Sequence, residues 1–303
     1  MSIRKPVRLI VSYLFAAAIF YFLARSLLLN WQKIASAGLH FHYLLLSAGV
    51  GMFLISSLVG VWIMQYLFRR TGHPLGFWQL YKVISISQLA KYVPGTLWQF
   101  VLRFRYLQGA VSDHSFFVVT VLENVVTFLA GFAVAAAIGF QDLPGAARWL
   151  AFGVAAGSLM VVLMPSIFYF FFNFAYRLVK RGENPPYVRL TRAVLFNSFL
   201  ASVVNWVIKG IGCYLAVVSL VTLPHDLLWR MVAVYATSVV AGYVLLVFPG
   251  GLGIREGVMI IFLQKFVGFE VATFIAVVAR AWAIFSEVLS AGLSYIIRSQ
   301  VKD

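Results

Sequence analysis

The chain has 303 residues, 62% of them apolar and only 11% charged, with a formal charge of +15 at pH 7. Soluble domains carry roughly 25% charged residues, so there is too little polar surface here to solvate a globule, and a soluble enzyme or binding module is excluded. In a membrane protein the positive balance belongs to cytoplasmic loops and anionic lipid heads; nucleic-acid binding is not expected.

In chain order, residues 7–29 and 41–68 form apolar runs that reach the ~20 residues needed to cross a hydrocarbon core. The first is long, lacks a small-residue cleavage pattern and is followed by further runs, so it reads as a span and not a cleaved leader. Residues 77–107 are apolar but interrupted by Lys91-Tyr92-Val93-Pro94-Gly95, and proline followed by glycine breaks a helix. Runs at 115–140, 149–174 and 193–221 come next. Residues 227–267 are interrupted by Pro249-Gly250-Gly251-Leu252-Gly253, and 271–297 closes the series. Non-helical backbone survives at membrane depth only where protein or a wet cavity satisfies it. Each broken stretch is therefore expected to be a helical hairpin with its tip in the membrane. The alternative is a pair of Pro-kinked spanning helices; the first arm of the second hairpin is long enough to cross nearly the whole bilayer.

The basic clusters are Arg4/Lys5/Arg8, Arg69/Arg70, Arg177/Lys180/Arg181 with Arg189/Arg192, and Arg298/Lys302. The positive-inside rule puts both termini in the cytoplasm, with Lys33 and Arg148 as mild exceptions. The expected fold is an all-α polytopic membrane protein of six spans and two Pro-Gly-broken hairpins. Residues 1–145 form one repeat and 146–303 the other, with opposite orientation, an arrangement common in secondary transporters. Either hairpin returns to the face it entered from, and the two enter from opposite faces.

Charges in hydrocarbon cost ~2.5–3.5 kcal/mol on insertion scales, so the intramembrane ones are the candidate site. Thr120, Glu123, Asn124 and Thr127 share one helix face; Thr273, Arg280, Glu287 and Ser294 are seven apart; Ser198, Ser202, Asn205 and Lys209 follow steps of four, three and four. Three polar stripes on three spans imply a shared hydrophilic interior. Glu123, Lys209 and Arg280 are expected to line a cavity that opens sideways to lipid. The competing account is a buried Glu123–Arg280 ion pair, with the serines and Asn205 serving helix packing. Lys91, Arg103 and Arg255 with Glu256 flank the broken loops and add to the basic interior. A helix starting after Gly253 points free N–H groups at the loop, which suits an anion, and phosphate is the natural guest. Arg103 and Arg105 serve equally well as cytoplasmic anchors, and Arg255-Glu256 as a self-paired clamp.

No catalytic, metal or cofactor site is legible. Cys213 is the single cysteine, so no internal disulfide or cysteine metal site is available. The five histidines lie at the ends of apolar runs without metal spacing, and neither a GxxxxGKS loop nor a nucleophile elbow occurs.

Lys91-Tyr92-Val93-Pro94-Gly95-Thr96-Leu97-Trp98 and Phe248-Pro249-Gly250-Gly251-Leu252-Gly253-Ile254-Arg255-Glu256 resemble the paired signatures of the lysylphosphatidylglycerol synthase transmembrane-region family. Glu123 and Arg280 fall where that family tends to carry polar residues after each signature. The family includes the flippase half of the multiple peptide resistance factor, stand-alone bacterial inner-membrane proteins and archaeal relatives tied to dolichol-linked sugars. The resemblance implies translocation of a phospholipid, glycolipid or polyprenyl-phosphate-linked sugar, with that lipid as partner and inner-membrane location. The chain shows no aminoacyl-transfer or glycosyltransferase segment, so lysyl-lipid synthesis is not expected of it. Two other classes stay open. A membrane-embedded lipid transferase would need a carboxylate or histidine pair near a loop mouth, with Glu123, Asp113/His114 and Glu256 as candidates. A non-catalytic scaffold for envelope-synthesis enzymes would not need Lys209 and Arg280 at mid-span.

Overall fold

In hydrocarbon no water is present to bond a free N–H or C=O, so long apolar segments must satisfy their backbones internally, as helices. The computed structural model describes residues 39–93, 98–139, 145–170, 173, 191–244 and 251–296, with the single positions 21, 25, 28 and 32. Among these residues the α-helices of more than one turn or two are α1 (Tyr43–Arg70), α2 (Phe77–Leu89), α3 (Trp98–Leu107), α4 (Asp113–Gly139), α5 (Gly145–Leu163), α6 (Arg192–Val218), α7 (Leu227–Val244), α8 (Ile254–Val267) and α9 (Phe269–Ile296). A 3-10 turn, Ala90–Tyr92, follows α2. Five helices, α1, α4, α5, α6 and α9, are long and apolar enough to cross a membrane. The protein is an all-α polytopic membrane protein. The expected span at 7–29 lies almost wholly outside the described residues. The expected span at 149–174 is interrupted: α5 ends at Leu163, and a second helical piece covers 165–170. Pro165 lacks the N–H that would continue the ladder.

Local chemistry sets several ends. Thr191 Oγ1 accepts the Val194 N–H at 3.4 Å and caps α6. Ser112 Oγ accepts the Ser115 N–H at 3.2 Å at the start of α4. Gly253, at φ +82°, precedes α8 and donates its N–H to Glu256 Oε2 at 2.7 Å.

The axis of the bundle is the crossing of α1 on α6. At their contact a Cβ on Gly49 would stand 2.9 Å from Ala216 N and 3.0 Å from Gly212 O, so the two backbones touch as small residues allow. The helices run antiparallel. His40 N–H donates to Leu220 O and His42 N–H to Ser219 O, both at 3.0 Å, which ties the entry of α1 to the exit of α6.

The two hairpins hang on this axis from opposite ends. The first, α2–turn–α3, starts and finishes by the end of α1: His73 Nε2, before α2, accepts the Ser112 N–H, after α3, at 3.4 Å. The second, α7–α8, starts and finishes by the exit of α6, where the Arg230 guanidinium lies 4.6 Å from the Phe266 ring centre. Packing is reciprocal: α2 leans on α9 and α7 leans on α4, so the first arm of each hairpin meets the closing span of the other half. Phe68, Leu67, Leu122, Leu195 and Met231 fill the helix junctions. Leu44, Trp149, Leu150, Phe152, Ile261 and Val288 point outward, as the lipid-facing side of spanning helices must.

The α1–α6 crossing makes a testable claim. Gly49→Ala drives a methyl into the α6 backbone and should cost about 1–3 kcal/mol. Gly51→Ala, two residues on, meets nothing within 4 Å and should be neutral or slightly stabilising. Thermal unfolding in detergent compares the two.

Candidate functional site

A cavity of about 200 Å³ lies where both hairpins and the spans meet, with walls from α1, α2, α3, α4, α6, α7, α8 and α9. One water needs only ~10–15 Å³ of such space. The α4 wall is Glu123, Asn124 and Thr127, and the α6 wall is Asn205, Trp206 and Lys209. Trp206 Nε1 donates to Thr127 O at 2.8 Å and sets these walls level with each other.

The first hairpin is clamped across the cavity. Lys91 Nζ donates to Glu287 Oε1 at 2.5 Å, and Tyr92 OH donates to Glu287 Oε2 at 2.9 Å. Lys91 is almost fully buried and Glu287 three-quarters so. Both residues line the cavity. Beside this clamp, Ser85 Oγ and Ser290 Oγ stand 3.0 Å apart, and Ser290 Oγ donates to Tyr81 OH at 3.0 Å. These hydroxyls join α2 to α9 by polar contacts inside an apolar wall.

The other cavity cations have no carboxylate within salt-bridge distance among the described residues. Arg103 is buried; its Nε donates to Ser87 Oγ at 3.4 Å and its Nη1 reaches Met64 Sδ at 3.7 Å. The Lys209 ammonium sits 5.1 Å from the Trp206 ring centre, a cation–π contact. Arg255 reaches the cavity past Gly242, where a Cβ would stand 2.5 Å from Arg255 Cγ. Gly251, at φ +70°, packs on the same glycine; its Cβ would stand 2.9 Å from Gly242 Cα. Glu123 accepts from Asn124 Nδ2 at 3.1 Å and Thr127 Oγ1 at 3.5 Å, both neutral. Lys91, Arg103, Lys209 and Arg255 thus face Glu123 and Glu287, an excess of positive charge.

Arg280 corrects the sequence-based expectation. It does not line the central cavity and does not pair with Glu123. Its Nε lies 3.5 Å from Glu256 Oε1, and both side chains are buried. They border a satellite cavity of about 10 Å³ with Arg255 and Tyr235. At that distance the pair is Coulombic without hydrogen-bond geometry. Glu256 holds the first turn of α8 with one oxygen and Arg280 with the other, so it is not a self-paired clamp with Arg255. The physical reason is height along the helix and not phase: seven residues are nearly two turns, about 10 Å of rise, so Arg280 and Glu287 share a face but meet different neighbours.

The remaining candidates sort as follows. Pro94, Gly95, Pro249 and Gly250 lie outside the described residues. Asn205, expected to serve packing, lines the cavity, whereas Ser198 bonds back to Val194 O at 2.8 Å. Glu287 was legible only as a member of a polar stripe; its partners on the first hairpin lie 195 and 196 residues away. Asp113 and His114 are exposed at the start of α4. Among the described residues no group of His, Cys, Asp and Glu could hold a metal ion.

The family model described as Lysylphosphatidylglycerol synthase TM region matches residues 9–290, a stretch that takes in both hairpins and the whole cavity lining. No curated protein matches the chain.

The clamp yields a stability prediction. Glu287→Ala leaves the Lys91 ammonium buried without its counter-charge and should cost about 3–5 kcal/mol. The double variant Lys91→Met/Glu287→Met removes both charges and should recover most of that loss. Chemical or thermal unfolding of the two variants in detergent checks the difference.

Proposed function

Because the chain belongs to the Lysylphosphatidylglycerol synthase TM region family, which gives it a membrane-lipid-related function, we propose that it is a translocase for an anionic, phosphate-bearing lipid. A phospholipid, a glycolipid and a polyprenyl-phosphate-linked sugar all share that chemistry. One observation carries the reading: a polar cavity inside a membrane bundle in which Arg103, Lys209 and Arg255 face open volume without carboxylate partners. Charge buried in hydrocarbon marks a substrate path unless something else requires it. A phosphate supplies what these donors lack, and arginine binds it through two parallel N–H groups.

The hairpins fit the same reading. The arms of the first, 13 and 10 residues, rise about 20 and 15 Å, short of a ~30 Å core. We take it as re-entrant. Reciprocal packing of the halves, with hairpin bases at opposite ends, supports an inverted repeat whose two sides gate one central site in turn. The lipid tail stays in the bilayer while the head crosses, so the cavity opens to lipid during transport. The location we propose is the bacterial cytoplasmic membrane with both termini cytoplasmic, where envelope-synthesis enzymes would supply or use the lipid. We read the protein as a carrier and not an enzyme: Glu287 is held by Lys91 and Tyr92, which leaves Glu123 without a second free carboxylate for acid–base work. A scaffold would have no use for a polar interior.

Proteoliposomes containing labelled phosphatidylglycerol test this. Lys209→Ala and Arg103→Ala should each slow the initial flip rate about tenfold or more, the worth of one charge-assisted bond, while Lys209→Ala keeps its unfolding temperature. Arg103→Lys should fall between, since charge is kept and the fork lost. Arg280→Ala should act on folding instead, because it strands buried Glu256. Wild-type flip rates for correctly inserted Lys209→Ala and Arg103→Ala would sink the anionic-head reading.

A further inference from the structure

Resting on that translocase reading, we propose a second function for the cavity: Glu123 is a proton-binding site, and a proton crosses the membrane with each anionic head group. Of the two cavity carboxylates, Glu287 is neutralised by Lys91 and Tyr92. Glu123 is different. Its hydrogen-bond partners are the neutral Asn124 and Thr127, and among the described residues no cation stands within salt-bridge distance of it.

Buried polar atoms lie on its own helix and on the one paired with it. Thr120 Oγ1, Ser202 Oγ and Asn205 Oδ1 are buried and have no hydrogen-bond partner among the described residues. Thr120 and Ser202 each lie about one turn before Glu123 and Asn205 on the paired helices α4 and α6. The two helices start at the same end of the bundle, the end that carries Arg69, Arg70 and Arg192. Buried polar atoms of this kind are costly unless water satisfies them. Thr120 and Ser202 lie between that end and the cavity carboxylate; we take them as the side from which a proton reaches Glu123, since intramembrane carboxylates are where protons are relayed.

The surroundings fix the sign of the coupling. Facing Glu123 across the cavity are Arg103 from α3, Lys209 from α6, Arg255 from α8, and the Lys91–Glu287 pair from the 3-10 turn and α9. From α7 come the phenols Tyr235 and Tyr243. The α1 wall is uncharged, and Arg148, the charged residue of α5, is exposed at that helix's start. Without a head group the cations favour the carboxylate. A phosphodiester entering the cavity takes up those cations and adds a like charge beside Glu123, so the carboxylate accepts a proton and becomes a neutral acid. When the head departs on the far side, the cations are free again and the O–H bond gives up its proton to that side. One negative charge and one proton move together, and linkage makes the coupling reciprocal.

The test uses the full chain in proteoliposomes containing labelled phosphatidylglycerol, with a pH-sensitive dye in the lumen. Under a pH gradient of one unit, wild type should acidify the alkaline side as it flips lipid, and label should accumulate in the alkaline-side leaflet up to about tenfold. Fast flipping with equal label in both leaflets and no dye response overturns the proposal and leaves the translocase reading standing. No flipping of phosphatidylglycerol by wild type sinks both. Assignment to Glu123 is read separately, by titrating detergent-purified protein with glycerophosphoglycerol in two buffers of different ionisation enthalpy. Wild type should take up close to one proton on binding and Glu123→Gln none. Unchanged uptake by Glu123→Gln, or no uptake by wild type where the variant fails to fold, overturns the assignment.

Discussion

Glu287 holds the first hairpin against the closing span, and the interior takes its shape from that contact. Lys91 and Tyr92, adjacent on the turn between α2 and α3, both bond to this carboxylate. Burial makes the pair hard to break one partner at a time, because a lone charge in low dielectric has nothing to replace the lost attraction. The 3-10 turn is thereby fixed to α9. Hydroxyls of Ser85, Ser290 and Tyr81 extend the same seam along α2.

Close backbone approach does the complementary work elsewhere. Gly49 and Gly212 bring α1 and α6 into contact, which leaves room around that axis for the hairpins. Gly242 and Gly251 bring the entry of α8 against α7 and let the Arg255 stem pass to the cavity. Neither contact gains from a hydrophobic effect, since lipid tails are as apolar as the helices; shape and dispersion carry them. Larger side chains at these positions would separate the helices that shape the cavity walls.

The cavity that results is uneven in charge. One cation is matched by Glu287 and buried Glu256 attends Arg280 behind α8, while Arg103, Lys209 and Arg255 are left facing the centre with Glu123 among them. That division separates structural charges from those available to a guest. It also assigns different work to residues that look alike in sequence: Arg255 and Glu256 are neighbours in the chain, yet one reaches the cavity and the other caps the helix behind it.

The sequence by itself determined the membrane class, the all-α fold, the broken hairpins as places of special backbone, and the family, since these follow from apolar run length, Pro-Gly placement and short local signatures. It also marked Lys209, Glu123 and Arg280 as charges that need a reason, because their cost in hydrocarbon is a local property. Partners were another matter. Glu123 and Arg280 sit at comparable depths on their spans and were natural mates, yet Arg280 meets Glu256 and Glu123 meets neutral groups. Which faces oppose each other depends on helix rotation and crossing, set here by glycine contacts and a carboxylate clamp nearly two hundred residues apart in the chain. A periodic stripe gives the face of one helix; only the packed bundle decides what that face looks at.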